Sequence, residues 1–433
     1  MTDIAATLAR WRDADARCAD LRRAGLDIDS ARATWFRAEG DVRATIGLEF
    51  GFRTAAGEAA VLPGYVKLYA DPDRRREVVE KWQTLRVHDT PLGAGFRDLP
   101  DTGAVLFLFP NDGGMRRLPA LADLEKAKRL LGESGIFGEG TWRVRGSRSQ
   151  LQVVRWKPEH RLVARLELAL KDDAAGIKRN VTAFLRCFPD DRGARQEALA
   201  RAIGAAGGGA LIPRPLGSLL EGTVFVEEAL DGEQLLQGGY REPGCAVELL
   251  ALLTRMGALQ PEGAGRLTTA DLLATRRQEL ATLGAYADAA ALAELDRALC
   301  AAVPSEPGAR AGLVHADLHL RQFLGSSQGL RLVDFERAAI GDPVFDMGHF
   351  LSEFRFAALE RPEEATALFA LRDQLLELWR AKAAAEEQRA LPFFIATGLV
   401  AGAARIARRT FLGADPAVVP SLLEEARIQL AAS

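Results

Sequence analysis

The sequence predicts an α+β protein of two lobes, a small β-rich lobe and a large helical lobe, preceded by an extra subdomain. Segments with the alternating apolar pattern of β-strands are concentrated in the chain before Asp231. Beyond that residue the pattern is almost wholly helical, with one interruption over residues 312–334. A length of 433 residues, about three ordinary domains, agrees with a division into several compact parts.

Residues 1–140 form the predicted N-terminal cap subdomain. Its predicted elements are an amphipathic helix over residues 1–28, strands over 64–69 and 103–110, and helices over 73–87 and 121–131. The glycine-rich stretch at residues 132–140 follows a helix and lacks the spacing of a phosphate-binding loop. We therefore interpret it as a linker that ends the cap.

Residues 141–231 form the predicted small lobe, and residues 232–433 form the predicted helical lobe. The small lobe is expected to contain strands over residues 150–156, 161–170, 180–188 and 223–227, with a helix over 193–203. The segment that follows residue 349 carries 11 acidic and 10 basic residues, so its charge is nearly balanced.

The charge balance excludes one broad class of function. A net charge of −3 gives no basic surplus of the kind that a general nucleic-acid binder needs, so no nucleic-acid partner is expected. The basic residues are 48 arginines and only eight lysines, and no lysine occurs between Lys178 and Lys382. A mechanism that needs a lysine must therefore find it outside that long segment.

The sequence also indicates the compartment. The four cysteines are far apart and show no metal-binding or disulfide spacing, as expected for reduced thiols in a cytosol. The N-terminus lacks the apolar stretch of a signal peptide. The longest mainly apolar segment, residues 391–404, is shorter than the roughly 20 residues needed to span a bilayer. We expect a cytoplasmic protein without a membrane partner; the sequence leaves its oligomeric state open.

Polar residues that can do chemistry are concentrated in the interruption of the helical lobe and just after it. The elements of this pattern are His315-Ala316-Asp317-Leu318-His319, then Gln322, then Asp334, and Gly341-Asp342-Pro343 followed by Asp346. The segment resembles the catalytic segment of the aminoglycoside phosphotransferase and choline kinase-like family, relatives of the protein kinases. The resemblance implies a bilobal protein kinase-like fold and ATP- and Mg²⁺-dependent transfer of phosphate to a hydroxyl of a small molecule.

The resemblance also implies roles for individual residues. Asp317 would accept or orient the proton of the acceptor hydroxyl, and Asp334 would bind Mg²⁺, which prefers carboxylate oxygen. Gln322 stands where the family usually has asparagine; its amide oxygen would still bind Mg²⁺, and His319-Leu-Arg-Gln322 is similar to the maltokinase-like sugar kinase branch. His315 and Asp346 are expected to brace the loop by hydrogen bonds.

Two further histidines receive separate interpretations. His319 is either a brace of the same loop or a residue that faces the substrate, and both interpretations remain open. His349 lies at the start of an apolar helix, where a histidine is usually a satisfied core residue.

The nucleotide side of the resemblance is less regular. The turn Lys157-Pro-Glu-His160 would cover the phosphates but is not glycine-rich, so Lys157 is either a phosphate ligand in place of backbone amides or a basic surface residue. Arg186 stands where the family has its ATP lysine, and Glu197 would be its partner on the next helix; Lys67 is the alternative cation. The segment at residues 224–232 resembles the family's hinge, where backbone groups around Glu228 and Leu230 would bind adenine.

Two other functions remain open on the sequence alone. The missing lysine, the absent glycine-rich loop and Gln322 are compatible with a degenerate pseudokinase that binds nucleotide or a partner protein without turnover. Alternatively, His315, Asp317 and His319 with Asp334 could form the metal cluster of a hydrolase. The resemblance implies that the helices after residue 350 line the acceptor pocket. Their balanced charge favours a neutral or anionic acceptor such as a sugar over a polycation, although an aminoglycoside-like compound stays open as an alternative.

Overall fold

The computed structural model describes residues 4–40, 42–326 and 329–431 and divides the chain into two compact units. Unit 1 comprises the chain up to Arg195, Leu216–Glu228 and Phe411–Gly413. Unit 2 comprises Gln196–Pro215, Ala229–Thr410 and the chain from Ala414 onward. The predicted division into a cap, a small lobe and a helical lobe stays a prediction, although the chain passes from unit 1 to unit 2 directly after Glu228, within the predicted hinge.

Unit 1 begins with two short helices and a five-stranded antiparallel sheet in the order β1-β2-β3-β7-β6. The elements are α1 (Ile4–Arg12), α2 (Ala14–Arg23), β1 (Ser30–Glu39), β2 (Arg43–Arg53), β3 (Ala59–Tyr69), α3 (Pro72–Gln83), β4 (Asp89–Thr90), β5 (Gly93–Ala94), β6 (Phe96–Leu99) and β7 (Ala104–Leu108). The helix predicted over residues 1–28 is two helices, because Asp13 separates them and accepts a hydrogen bond from Ala16 N as the N-cap of α2.

A second sheet of six strands follows in unit 1. Its order is β12-β13-β11-β10-β8, with β9 also paired to β10. The elements are α4 (Leu118–Leu121), α5 (Leu124–Glu133), β8 (Trp142–Val144), β9 (Gln150–Lys157), β10 (Arg161–Asp172), β11 (Lys178–Cys187), α6 (Arg192–Ile203), β12 (Pro215–Leu219) and β13 (Val224–Glu228). Helix α6 begins in unit 1 and belongs to unit 2 from Gln196 onward. The alternating burial of β10 places Leu162, Ala164, Leu166 and Leu168 in the core. This alternation is why the strands of the small lobe were predictable from their pattern.

Unit 2 is mainly helical, with short strands around the segment that carries the chemistry. The elements are β14 (Glu233–Gln234), α7 (Cys245–Gly257), α8 (Thr269–Ala281), α9 (Ala289–Ala301), β15 (Gly312–Val314), β16 (Phe323–Ser326), β17 (Gly329–Leu332), β18 (Ala339–Gly341), α10 (Pro343–Glu360), α11 (Ala365–Arg380), α12 (Ala385–Arg409) and α13 (Val419–Ala431). All four cysteines are free thiols, as the sequence predicts.

Helices α10 and α12 pack at unusually short range because glycines lie at their contact. A Cβ atom on Gly348 would lie 2.5 Å from the Cβ of Phe394, and one on Gly402 would collide with the ring of Phe356. The close contact fixes α10, which begins with the Gly341-Asp342-Pro343 segment, against the helix that contributes most to the core of unit 2.

The helix that contains the apolar segment at residues 391–404 extends well beyond that segment at both ends. Residues Ala385–Leu412 form one continuous helical stretch of 28 residues, which has the length and composition to cross a membrane. Its most apolar window is 72% buried within the protein, as in the core helix of a globular domain.

Candidate active site

The catalytic segment begins where β15 ends and is held by one buried carboxylate. Asp346, in the first turn of α10, accepts a hydrogen bond from His315 N at 2.6 Å on Oδ2 and from Ala316 N at 3.0 Å on Oδ1. Burial raises the pKa of Asp346 to about 6, although the neighbouring imidazole of His315 and the two backbone donors lower it. Asp346 therefore makes the bracing contacts that the sequence suggested.

His315 joins the catalytic segment to the segment that precedes Asp334. Its Nε2 donates to the carbonyl oxygen of Val333 at 2.9 Å, and its ring lies 4.7 Å from the ring of Phe335. The side chain is fully buried. His315 is therefore a structural link between the two carboxylate-bearing segments rather than a group exposed to substrate.

The hairpin of β16 and β17 brings the two predicted metal ligands together. Phe323 pairs with Leu332, so Gln322 and Asp334 lie at the same end of the hairpin. Val333 N donates to the carbonyl oxygen of Gln322 at 3.0 Å and fixes that end. Gln322 directly precedes β16 and Asp334 follows β17 by two residues. An amide oxygen and a carboxylate are the hard donors that suit Mg²⁺, which keeps few protein ligands beside phosphate and water.

Two residues of this region have left-handed backbone conformations although neither is glycine. Ala316, directly before Asp317, has φ of 60°, and Asp334 has φ of 68°. Such conformations cost free energy and persist when surrounding contacts impose them, and they are concentrated at functional sites. The hydrogen bond from Ala316 N to Asp346 is one such contact.

Asp317 is about half exposed and lies beside positive charge. The Nη1 atom of Arg337 is 3.8 Å from its Oδ1 atom. Nearby His319 has its pKa lowered to about 4, mainly because burial disfavours the imidazolium, so it is neutral at neutral pH. The Nδ1 atom of His319 is buried and has no hydrogen-bond partner among the described residues. The hydrogen bonds therefore do not support a bracing role through this nitrogen.

In unit 1 the structure places Arg186 on β11 within a buried ion pair. Its Nε and Nη2 atoms donate to Oε1 of Glu227 at 3.0 and 2.7 Å, and both side chains are only 10% exposed. The prediction from sequence missed Glu227, which lies in the hinge-like strand β13. Its signal was available, because a second acidic residue beside Glu228 in an otherwise apolar strand needs a partner.

Glu197 lies on α6, and its carboxylate accepts a hydrogen bond from Nε of Arg201 at 2.8 Å. The predicted pairing of Glu197 with Arg186 stays a prediction, since the two residues belong to different compact units. Glu228 ends β13, and Leu230 follows it in unit 2, so the adenine-binding role of this segment also stays a prediction.

The predicted hairpin of β9 and β10 is present, and its turn carries Lys157 as expected. The neighbouring Glu159 has φ of 56° and accepts a hydrogen bond from Nζ of Lys67 at 2.6 Å. Lys67 is thus engaged by this turn through a side chain that is 12% exposed. The prediction from sequence treated Lys67 as an alternative phosphate ligand and did not find this contact.

A second carboxylate fixes the same turn. Asp112 accepts hydrogen bonds from Trp156 Nε1 and Glu159 N at 3.0 Å each, and from Gly114 N and Met115 N at 2.8 Å each. Burial raises the pKa of Asp112 despite these backbone donors. The signal that sequence reasoning missed is the turn sequence Asn111-Asp-Gly-Gly114, in which an aspartate commonly accepts from following amides.

The metallohydrolase interpretation receives no support from the structure. Among residues 4–40, 42–326 and 329–431, no group of three or more histidine, cysteine, aspartate or glutamate side chains is placed to hold a metal ion. His315 is instead occupied by the backbone contact to Val333.

Comparison with known proteins assigns the family. The sequence profile of the phosphotransferase enzyme family, APH, matches residues 143–384, which is more than half of the chain. The chain belongs to this family. Membership confirms the predicted resemblance, the kinase-like fold class and the prediction that the protein is a phosphotransferase with a hydroxyl acceptor.

Several solved structures resemble this chain at low sequence identity. A thermostable mutant of aminoglycoside phosphotransferase APH(4)-Ia is 15% identical with a TM-score of 0.48, over 70% of this chain and 98% of that one. A choline/ethanolamine kinase family protein from Mesorhizobium loti is 18% identical with a TM-score of 0.48, over 71% and 98%. Choline kinase LicA from Streptococcus pneumoniae is 14% identical with a TM-score of 0.43, over 71% and 99%. No curated protein sequence matches the chain.

Proposed function

We propose that the protein is an ATP- and Mg²⁺-dependent kinase that phosphorylates a hydroxyl of a small molecule, and that it acts in the cytoplasm. The observation that supports this proposal is the braced segment of unit 2, in which Asp346 fixes the residues before Asp317 and the β16–β17 hairpin brings Gln322 beside Asp334. Phosphoryl transfer depends mainly on such positioning and on neutralisation of charge.

The residues present suit the predicted cofactor. Mg²⁺ held by Gln322 and Asp334 would neutralise charge on the phosphates of the nucleotide. Asp317, half exposed and next in sequence to the braced Ala316, would orient the acceptor hydroxyl and take its proton. In unit 1, Arg186 would act on phosphate oxygens as a permanently charged group, and Lys157 would add a second cation from the turn.

The first test is nucleotide binding. ATP with Mg²⁺ at about 100 times its dissociation constant should raise the free energy of unfolding by about 2.7 kcal/mol, measured by thermal or chemical denaturation. Asp334→Asn should remove most of the Mg²⁺-dependent part of this gain, whereas the matched variant Asp373→Asn, at an exposed position on α11, should retain it. No stabilisation at millimolar nucleotide would refute both the kinase and a nucleotide-binding pseudokinase.

The second test is transfer. Asp317→Asn should lower kcat by about 10²–10⁴-fold, the usual contribution of a positioned general base, while nucleotide binding is retained. Transfer of ³²P from ATP to a panel of sugars, amino alcohols and aminoglycosides measures the effect. Full activity of the variant would contradict the assigned role, and nucleotide binding by the wild type without transfer to any acceptor would favour the pseudokinase.

A further inference from the structure

Six arginines from four parts of unit 2 lie on the catalytic segment and on the helices α8 and α12. Ion pairs connect them to only a few carboxylates: Arg337 to Asp317 at 3.8 Å, Arg405 to Glu353 at 2.8 Å, Arg321 and Arg409 to Glu360 at 2.7 and 3.8 Å, and Arg276 and Arg408 to Glu279 at 2.7 and 3.7 Å. We call these six arginines the arginine cluster. Six guanidinium groups share four carboxylates, which leaves a surplus of two positive charges.

The pairs are parts of one neighbourhood rather than separate surface contacts. Helices α8 and α10 both pack against α12, which carries Arg405, Arg408 and Arg409. Burial lowers the pKa of His349 on α10, and the charges of Arg276, Arg405 and Arg337 lower it further. Burial also raises the pKa of Glu353, the partner of Arg405, and the charge of Asp317 adds to this rise. The packing and the charges therefore connect α8, α10 and the C-terminal end of α12 to the catalytic segment.

Part of the hydrogen-bonding capacity of this neighbourhood is unused within the described residues. Arg276 is 8% exposed; its Nη1 atom lies 2.7 Å from Oε2 of Glu279, whereas its buried Nε atom makes no hydrogen bond there. The buried Nε2 of His349 and Nδ1 of His319 also lack partners among those residues. Because buried polar atoms are usually hydrogen-bonded, this unused capacity around α8, α10 and the catalytic segment suits a polar ligand or bound water.

Three members of the cluster have guanidinium groups that solvent reaches. Arg337, Arg408 and Arg409 have side chains that are 69%, 56% and 51% exposed. Their nearest carboxylate oxygens lie at 3.7–3.8 Å, beyond normal hydrogen-bond length, so their planar donor edges can bind an anion without first losing a hydrogen-bonded ion pair.

We propose that the acceptor substrate is an anion, a small hydroxyl compound bearing a phosphate or carboxylate group that the arginine cluster binds while its hydroxyl faces Asp317. This inference rests on the proposed kinase function and specifies its substrate class. Arginine binds both groups by paired N–H donors, so the same chemistry serves a sugar phosphate and a sugar acid. A cationic acceptor such as an aminoglycoside or an amino alcohol would meet the positive surplus and be disfavoured.

The anion site can be tested without knowledge of the substrate. The nucleotide site is first filled with AMP-PNP and Mg²⁺, and inorganic phosphate or acetate is then titrated by calorimetry. Wild type should bind phosphate, and Arg337→Gln and Arg408→Gln should each weaken this binding by about tenfold or more, as expected for loss of a charge-assisted contact. The matched variant Arg427→Gln, on α13 and paired with Glu424, should bind as wild type does.

Stronger binding of phosphate than of acetate would identify a phosphate-bearing acceptor, and the reverse order would identify a carboxylate. Absence of binding for both anions, or binding that the two variants leave unchanged, would overturn the proposal. Because both variants replace exposed side chains, their folding is expected to be intact and is checked by their thermal midpoints.

The transfer assay separates this inference from the proposed function. Glucose 6-phosphate, gluconate, glucose and glucosamine present related carbon skeletons with different charges. Higher kcat/KM for an anionic member, reduced about tenfold or more by Arg408→Gln, supports both proposals. Preference for glucosamine overturns the anionic acceptor while retaining the kinase. Failure of every transfer reaction with variant-sensitive anion binding would refute the kinase function and leave the anion site established.

Discussion

One polar network in unit 1 and one in unit 2 differ in how completely their buried groups are hydrogen-bonded. In unit 1, both oxygens of Asp112 accept two hydrogen bonds each, and Lys67 donates to Glu159 in the same network. In unit 2, buried nitrogens of Arg276, His319 and His349 near the catalytic segment have no hydrogen-bond partner among the described residues.

The difference separates a network that holds one geometry from a set of groups with unused hydrogen-bonding capacity. A buried polar group costs free energy unless it is hydrogen-bonded, so a complete network holds one geometry firmly. The network around Asp112 holds the β9–β10 turn, including the left-handed Glu159. The incomplete set in unit 2 has hydrogen-bonding capacity that the proposed anionic acceptor or bound water would use.

The largest effect is expected from breaking the complete network. Asp112→Ala leaves the backbone and indole donors that it satisfies without an acceptor, and we expect the free energy of unfolding to fall by about 3 kcal/mol or more. Urea denaturation measures this value. Asp123→Ala removes a carboxylate that caps α5 at the surface and should cost only about 1 kcal/mol. Equal losses in the free energy of unfolding would show that the network around Asp112 stabilises the protein no more than a helix cap at the surface does.

The placement of the candidate site residues was predictable because its signal is local in sequence, and their catalytic roles stay predictions. Asp317, Gln322 and Asp334 lie within one short loop and one hairpin, so their spacing in the chain largely determines their relative placement. The same locality explains why the strands of the β9–β10 hairpin were found at nearly their observed bounds.

The polar networks were not predictable because tertiary packing assembles them. Lys67 and Glu159 are 92 residues apart, and their contact depends on how two sheets meet within unit 1. The pair of Arg276 and Glu279 is local, three residues apart on α8, but the contact of Glu279 with Arg408 of α12 depends on how the two helices pack. His349 was interpreted as a satisfied core histidine; this was wrong, because the packing of α10 leaves its Nε2 buried without a partner among the described residues.

A smaller effect is expected from protonation of Asp346, the carboxylate that holds the backbone before Asp317. The pKa of Asp346 is raised to about 6, and its two oxygens accept from two different backbone amides. Protonation places hydrogen on one of these oxygens and turns an acceptor into a donor. Catalytic activity should therefore fall as the pH falls through about 6, by about tenfold for one pH unit below the pKa.

The pH profile of kcat between pH 5 and 8 measures this effect, and Asp346→Asn is the matched variant. Its amide nitrogen faces one backbone donor at every pH, so activity should be low throughout and the transition near pH 6 should disappear. A wild-type profile that stays flat to pH 5, or an unchanged transition in the variant, would show that Asp346 does not control the loop.

The smallest effect is expected from replacing His349, whose buried Nε2 has no hydrogen-bond partner among the described residues. Burial lowers the pKa of His349 well below that of an exposed histidine, so below about pH 6.5 the unfolded chain takes up a proton that the folded protein refuses. Stability is thus present above pH 6.5 and is lost as the pH falls, by up to about 1.4 kcal/mol per pH unit for this group. His349→Leu should match or exceed wild-type stability at pH 7 by up to about 1 kcal/mol and should show a shallower acid-side loss in urea denaturation. A large destabilisation at pH 7 would mean that His349 has a structural partner, and the contrast between the two units would then fail at this residue.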